Sequence, residues 1–231
     1  MRTFGKNAES FCALLVKVQR VLRTFGKSAK IEVKILPVIF TPQMQTSPQL
    51  VPLTPAWKDA VYHEHQEHGI NWMLQAEELG YTIPDTDHVV RGGILGDKMG
   101  VGKTIQSLGL IANSPAEKTL IITPLAVRGQ WESELRRADV NLYLPTPNGG
   151  QWRAQEPIIA GRKAVYLVHY DKVASRSELC NGKDYTRIIL DEAHTIRNAS
   201  TRKAEAVFQT STRSVHGAEA HLGKEGWSGV K

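Results

Sequence analysis

Gly92 to Thr104 reads G-G-I-L-G-D-K-M-G-V-G-K-T. A short apolar strand (Ile94, Leu95) runs into a glycine-rich turn that closes on Gly102-Lys103-Thr104. A helical pattern, Ile105 to Ala112, follows. Strand, glycine loop and helix in this order make a P-loop. Gly100 and Gly102 carry no Cβ, so their backbone N–H groups can approach a phosphate closely. The helix behind them points its positive end at the same anion. In this reading Lys103 reaches the β- and γ-phosphates of ATP and the Thr104 hydroxyl holds Mg²⁺. The strict pattern has glycine where Asp97 stands. By itself, therefore, the stretch is also compatible with an ordinary glycine-rich strand-to-helix turn.

A second motif is Arg187-Ile-Ile-Leu-Asp-Glu-Ala-His194, whose Asp191 lies 88 residues beyond Lys103. Three apolar β-formers lead into two adjacent carboxylates. A buried parallel strand delivers such a pair to the carboxyl edge of a sheet. Asp191 can then hold the Mg²⁺ shell, and Glu192 can accept the proton of an attacking water. Alone, this would read as a strand ending in a solvated acidic turn. Together with the P-loop, it predicts one nucleotide site built from distant parts of the chain.

The pair G-D-K-M-G-V-G-K-T and D-E-A-H resembles the Swi/Snf-type DNA-dependent ATPases of helicase superfamily two. The family's loop usually reads A-D-E-M-G-L-G-K-T, so Asp97 is its ordinary residue and belongs with the cofactor-binding loop. Gly96 replaces the usual Ala, and Lys98 replaces the usual Glu and reverses its charge. Upstream, H-Q-E-H-G-I-N-W-M is similar to the segment that precedes the family's P-loop. By that resemblance Gln66 reads adenine through its amide donor and acceptor. Downstream, L-I-I-T-P-L-A-V-R-G-Q-W-E-S-E-L is similar to the family's next motif, whose loop touches the DNA backbone. Thr123 is the candidate phosphate contact there. The alternative is a strand-to-helix turn with Pro124 at the helix start. His194, the last residue of D-E-A-H, would couple nucleotide state to the lobe interface. The resemblance implies ATP and Mg²⁺ as cofactors and DNA as partner. It also implies chromatin or repair proteins as further partners, and residence in the nucleus.

Charge does not by itself support nucleic-acid binding by this region. The net charge is +6, yet residues 1–36 hold eight Lys or Arg against two Glu, so the rest is neutral. The excess belongs to an amino-terminal arm. No apolar run approaches the ~20 residues needed to cross a bilayer. Two cysteines, Cys12 and Cys180, form neither a disulfide framework nor a zinc pattern, which suits a reducing compartment. His63, His65 and His68 raise the question of metal. The zinc-protease spacing H-E-x-x-H fails, because Glu67 stands where the second His belongs. No zinc is expected, and Trp72 and Met73 read as core.

Four regions are predicted. Residues 1–40 form a basic arm, in which Phe11, Leu14, Leu15, Val18, Val21 and Leu22 fall on one helix face. This basic amphipathic start also fits a mitochondrial transit peptide, which leaves the mitochondrion as the alternative location. Residues 41–55, with four prolines, form a linker. Residues 56–209 form a single RecA-like α/β lobe with a parallel sheet flanked by helices, in which 81–91 is a polar connection and 139–162 is loop-rich. Residues 210–231 are poor in apolar side chains and read as a disordered tail.

The resemblance thus runs from about residue 60 to 209. The family continues with a strand ending in T-G-T-P and a second lobe, whose arginines stabilise the transferring phosphoryl group. An arginine finger contributes about 10³–10⁵ in rate. Without that lobe this chain is expected to bind ATP·Mg and to hydrolyse it very slowly. The alternative is a truncated, catalytically inactive protein that acts by binding partners or DNA.

Overall fold

In the computed structural model, residues 50–82, 89–98, 100–147, 150–181, 183–210 and 212–218 can be described. Helix α1 (Glu64–Glu78) is followed by the short antiparallel pair β1 (Tyr81–Thr82) and β2 (Val89–Val90). The P-loop strand β3 (Gly92–Leu95) leads to helix α2 (Lys103–Asn113). Then come β4 (Lys118–Thr123), α3 (Arg128–Arg137), β5 (Val140–Pro145) and β6 (Trp152–Ala154). The chain continues through β7 (Lys163–His169), α4 (Tyr170–Ser175), β8 (Tyr185–Asp191), α5 (Arg202–Phe208) and β9 (Thr212–Ala218).

The seven strands β3 to β9 form one sheet in the order β3-β9-β8-β4-β7-β5-β6. Every pairing is parallel except β5 with β6. Parallel strands covered on both faces need apolar residues at successive positions, and the run Leu120-Ile121-Ile122 of β4 is fully buried. Leu120, Ile122, Val168, Ile188 and Leu190 share a core with Ala204, Val207 and Phe208 around α5. Ile121, Val165, Leu167 and Ile189 pack against Leu108 and Ile111 of α2 and Trp131 and Leu135 of α3. Ile70 and Met73 of α1 close a third cluster with Leu95 and Leu110. The expected α/β lobe, a largely parallel sheet with helices on both faces, is the architecture observed.

Several expectations need correction. The region 139–162 was expected to be loop-rich, but it contributes the edge strands β5 and β6. In V-N-L-Y-L-P, Leu142 and Leu144 alternate inward, and Pro145 sits at the end of the strand, where a missing N–H is tolerated. The connection 81–91 contains the β1–β2 pair. The largest correction concerns the carboxyl-terminal stretch. Thr212–Ala218 is no tail: it is β9, inserted between β3 and β8, with Ser214 to Ala218 buried. A strand is therefore present where the resemblance calls for one, ending in His216-Gly217-Ala218 and not T-G-T. Gly92 makes the approach of β3 to β9 possible. Its φ is +106°, and a Cβ there would lie 1.9 Å from the Val215 carbonyl oxygen.

The basic arm 1–40, its amphipathic helix and residues 219–231 lie outside the described residues. Of the proline-rich segment, Leu50 to Pro55 adopt neither helix nor strand. They are nevertheless pinned to the lobe: Val51 N donates to Asn71 Oδ1 at 3.0 Å, and Thr54 N to Asn113 Oδ1 at 2.6 Å.

Candidate nucleotide site

The two motifs meet at the carboxyl edge of the sheet. β3 ends at Leu95 and β8 at Asp191, and Ala218 of β9 is the register partner of both. One strand separates them, so with strands ~4.8 Å apart their backbones lie about 10 Å from each other. The charge of Lys103 acts on the Asp191 carboxyl.

The loop itself is built on left-handed glycines, Gly100 at φ +82° and Gly102 at φ +88°. Gly102 is the N-cap of α2, offers no side-chain cap, and is followed by a first turn without acidic residues. The amides of that turn, Thr104 included, thus carry no side-chain cap, which is the condition for binding an anion. A Cβ on Gly100 would meet nothing within 4 Å, so the approach to this loop is open. Lys103 Nζ donates to the carbonyls of Asp97 at 2.8 Å and Lys98 at 2.9 Å. The ammonium therefore already lies inside the loop. Asp97 acts within the loop as well: its Oδ2 accepts from Gln106 Nε2 at 3.0 Å. Lys98 is exposed.

The acidic motif is equally constrained. Asp191 Oδ2 accepts from Trp131 Nε1 at 2.8 Å, and its carbonyl accepts from the Tyr170 hydroxyl at 2.9 Å. Burial raises the Asp191 pKa, against the opposing effects of the Trp131 bond and the Lys103 charge. Glu192 takes a left-handed backbone, φ 49° and ψ 53°, and its N–H donates to the Ala218 carbonyl at 2.8 Å. This turn swings the second carboxylate out of the strand, leaving Glu192 Oε2 3.2 Å from His194 Nδ1. Substituting Trp131 by Phe removes the donor to Asp191. A stability loss of about 1–3 kcal/mol is expected, since a charge-assisted bond to a largely buried carboxylate is removed. Urea unfolding measures the loss, and the carboxyl carbon shift of Asp191 should report a further rise in its pKa.

Two site expectations change on inspection. Gln66 is buried, with its amide engaged at both ends. Nε2 donates to the Val101 carbonyl at 3.0 Å, and Oε1 accepts from His63 N at 3.0 Å. In this conformation it braces the P-loop from α1. A Cβ on Gly102 would lie 2.4 Å from Gln66 Nε2, which shows how tightly the brace fits. Thr123 cannot contact a DNA phosphate as arranged. It is fully buried at the end of the central strand β4, and its hydroxyl donates to the Pro124 carbonyl at 3.1 Å. The charges near that edge are Asp171, Arg128, Lys172 and Lys203, all of which act on His169; Lys203 pairs with Asp171 at 2.7 Å and Arg128 with Glu132 at 3.6 Å. Of the three histidines considered for metal, His63 and His65 stack with ring centroids 5.8 Å apart, and His65 Nε2 lies 3.0 Å from the Val101 carbonyl. Among the described residues no group of three or more His, Cys, Asp or Glu is placed to hold a metal ion.

Sequence reasoning missed Gln106 and the Asp191 partner role of Trp131. A signal existed for the first: Gln106 is a long polar side chain set among Ile105, Leu108, Leu110 and Ile111 in α2, and it is fully buried.

These features make an α/β lobe with a P-loop and an acidic motif at one edge of its sheet, and the comparisons with known proteins give its family. Residues 65–215 match the SNF2-related domain. The chain belongs to this family, and the match extends into β9. It is 35% identical over 149 residues to the probable global transactivator of Orgyia pseudotsugata multicapsid polyhedrosis virus, covering 60% of this chain and 28% of that protein. It is 29% identical over 167 residues to CHROMATIN REMODELING 24 of Arabidopsis thaliana, covering 64% of this chain and 14% of that protein. Against the DNA repair protein RAD5 of Debaryomyces hansenii the identity is 27% over 175 residues, with 57% and 14% covered. The chain thus spans less than a third of the length of these relatives. Its fold is similar to that of part of the Sulfolobus solfataricus SWI2/SNF2 ATPase core solved with double-stranded DNA. The TM-score is 0.58 at 22% identity, covering 74% of this chain and 34% of that one.

Proposed function

We propose that this lobe binds ATP·Mg²⁺ at the edge where β3 and β8 end, as the nucleotide-binding half of a Swi/Snf-type DNA-dependent ATPase. The observation that carries the reading is the shared register partner, Ala218, which sets the P-loop strand and the D-E-A-H strand one strand apart. Lys103 exchanges its two loop carbonyls for phosphate oxygens. Thr104 and Asp191 are the residues that would hold Mg²⁺, which neutralises charge on the phosphates when bound. Glu192, turned out of the strand by its left-handed backbone, accepts a proton from water. His194 lies against Glu192 and is suited to sense that carboxylate's state. Gln66 reaches adenine only by giving up Val101 and His63, so its part is to link base binding to loop shape. DNA follows the carboxyl edge past Arg128, Lys172 and Lys203. The relatives' chromatin and repair roles point to the nucleus.

Titration of the 231-residue chain with a fluorescent ATP analogue, with and without Mg²⁺, tests the site. Saturable, Mg²⁺-dependent binding is expected. No nucleotide binding at millimolar concentration would overturn the proposal.

The cations at the carboxyl edge also favour a second reading, a module that binds DNA without turnover. Arg128, Lys172 and Lys203 would give log–log salt slopes of roughly −0.9 per phosphate contacted. DNA binding that persists when ATP binding is abolished distinguishes this reading from the first.

A further inference from the structure

Away from the nucleotide site, the described lobe buries a dense cluster of charged and polar groups under the carboxyl end of α1. Glu77 receives Arg187 Nε at 2.5 Å, Arg187 Nη2 at 2.6 Å, Ser114 Oγ at 2.8 Å and Ser214 Oγ at 3.0 Å. His216 Nε2 lies 3.0 Å from the same carboxylate. Arg187 is completely buried and also donates to Thr119 Oγ1 at 3.1 Å. His216 is nearly so, and its Nδ1 has no hydrogen-bond partner among the described residues. Every element packed here contributes: α1 through Glu77, the α2–β4 corner through Ser114 and Thr119, β8 through Arg187, and β9 through Ser214 and His216. From β7, Lys163 Nζ caps the end of α2 by donating to the carbonyls of Ile111, Ala112 and Ser114. Its charge and that of Arg187 act on one another, and Glu117 lies within reach of Lys163. Arg91 donates to the Glu77 carbonyl.

We infer that this cluster is an acid-sensitive latch that fastens α1 to β8 and β9, with His216 as the group whose protonation releases it. The charge balance gives the mechanism. Among the described residues Glu77 is the one acid bonded to Arg187 and His216, and Arg187 and Lys163 are already cationic. A proton on His216 must go to Nδ1, because Nε2 faces Glu77. There it meets no acceptor among the described residues and adds a further positive charge to a buried interior. The latch therefore stays closed while the ring is neutral and loosens as the ring charges.

Both pKa shifts act in the same direction. Burial holds the His216 pKa below its ordinary 6.5, against the opposing pull of Glu77. Its contribution to stability is thus complete above about pH 6.5 and is lost as pH falls below it. Burial alone would raise the Glu77 pKa, but Arg187 and His216 outweigh it and hold the carboxyl well below 4.5. The acid's contribution is therefore lost only at pH values below that. The histidine provides the first window. Because α1 also braces Val101 through Gln66 and His65 at its other end, loosening the latch frees a helix that supports the P-loop.

Urea unfolding of the full chain between pH 7.5 and 5.5 tests the latch, with His216→Gln as the comparison. Glutamine keeps a donor for Glu77 and removes the titration, and contributions from the seven other histidines cancel in the difference. The wild-type unfolding constant should gain up to about tenfold per pH unit below 6.5 beyond that of the variant, the share of one proton. Equal slopes would overturn the proposal. If the variant does not fold, ring ¹⁵N shifts of the wild type decide. A neutral ring protonated at Nε2 at pH 6 supports the latch, and an imidazolium in the folded protein refutes it.

Discussion

Replacing Lys103 by alanine is expected to weaken ATP·Mg²⁺ binding by roughly 10–150-fold, the effect of losing charge-assisted hydrogen bonds of about 1.5–3 kcal/mol. The lysine begins α2 directly after a left-handed N-cap glycine, and its ammonium already lies among the carbonyls of the loop. Its bonds within the protein go to the two adjacent loop carbonyls of Asp97 and Lys98, so the variant should fold normally. Isothermal titration with ATP in the presence of Mg²⁺ gives the affinity, and a thermal melt checks the fold. Asp191→Asn is the natural companion. It should reduce the Mg²⁺-dependent part of the affinity and leave binding of free nucleotide largely intact. A folded Lys103→Ala protein with unchanged affinity would mean that the loop is only a strand-to-helix turn.

The second large effect belongs to Glu77. Glu77→Gln keeps the side chain's shape but leaves the fully buried Arg187 without its counter-charge. Removing one member of a buried pair costs about 3–5 kcal/mol, because the remaining charge stays desolvated and uncompensated. For a chain of this size that corresponds to a fall in Tm of roughly 6–20 °C. It is a large part of the ~5–15 kcal/mol by which native proteins are stable. The double variant Glu77→Leu with Arg187→Met should recover part of the loss, since neither charge is then buried. Losses that add in the double variant would show that the two side chains act independently, contrary to the geometry.

The legible parts of the lobe are those where local pattern and tertiary burial agree. Leu120-Ile121-Ile122 and Ile188-Ile189-Leu190 are apolar at successive positions because both faces of a parallel sheet are covered. Gly102-Lys103-Thr104 is readable because a phosphate loop needs backbone that only glycine supplies cheaply. β9 breaks the pattern. Thr212 to Ala218 reads T-R-S-V-H-G-A, with Ser214 and His216 on the face that meets α1. A polar strand in the middle of a sheet looks like a tail until its partners are known. Ser214 and His216 are tolerated inside because Glu77, 137 and 139 residues earlier in the chain, accepts from or faces both. Nothing beside Glu77, near the end of a helix, marks it as their partner.

From the order of its residues alone, this protein is legible as an α/β lobe, its motifs resemble the Swi/Snf kind, and Lys103, Thr104, Asp191 and Glu192 stand out as the proposed chemical groups. These rest on short-range rules: strand periodicity, glycine at a left-handed turn, acids after an apolar run. Only the tertiary structure decided what joins them. β9, and not β8, lies against the P-loop strand, Gln66 braces Val101, Thr123 is buried, and Trp131 holds Asp191. Those relations depend on side chains far apart in sequence satisfying one another's charges and hydrogen bonds. A buried polar group finds its partner through the fold, and the residues beside it in the chain carry no record of which partner that is.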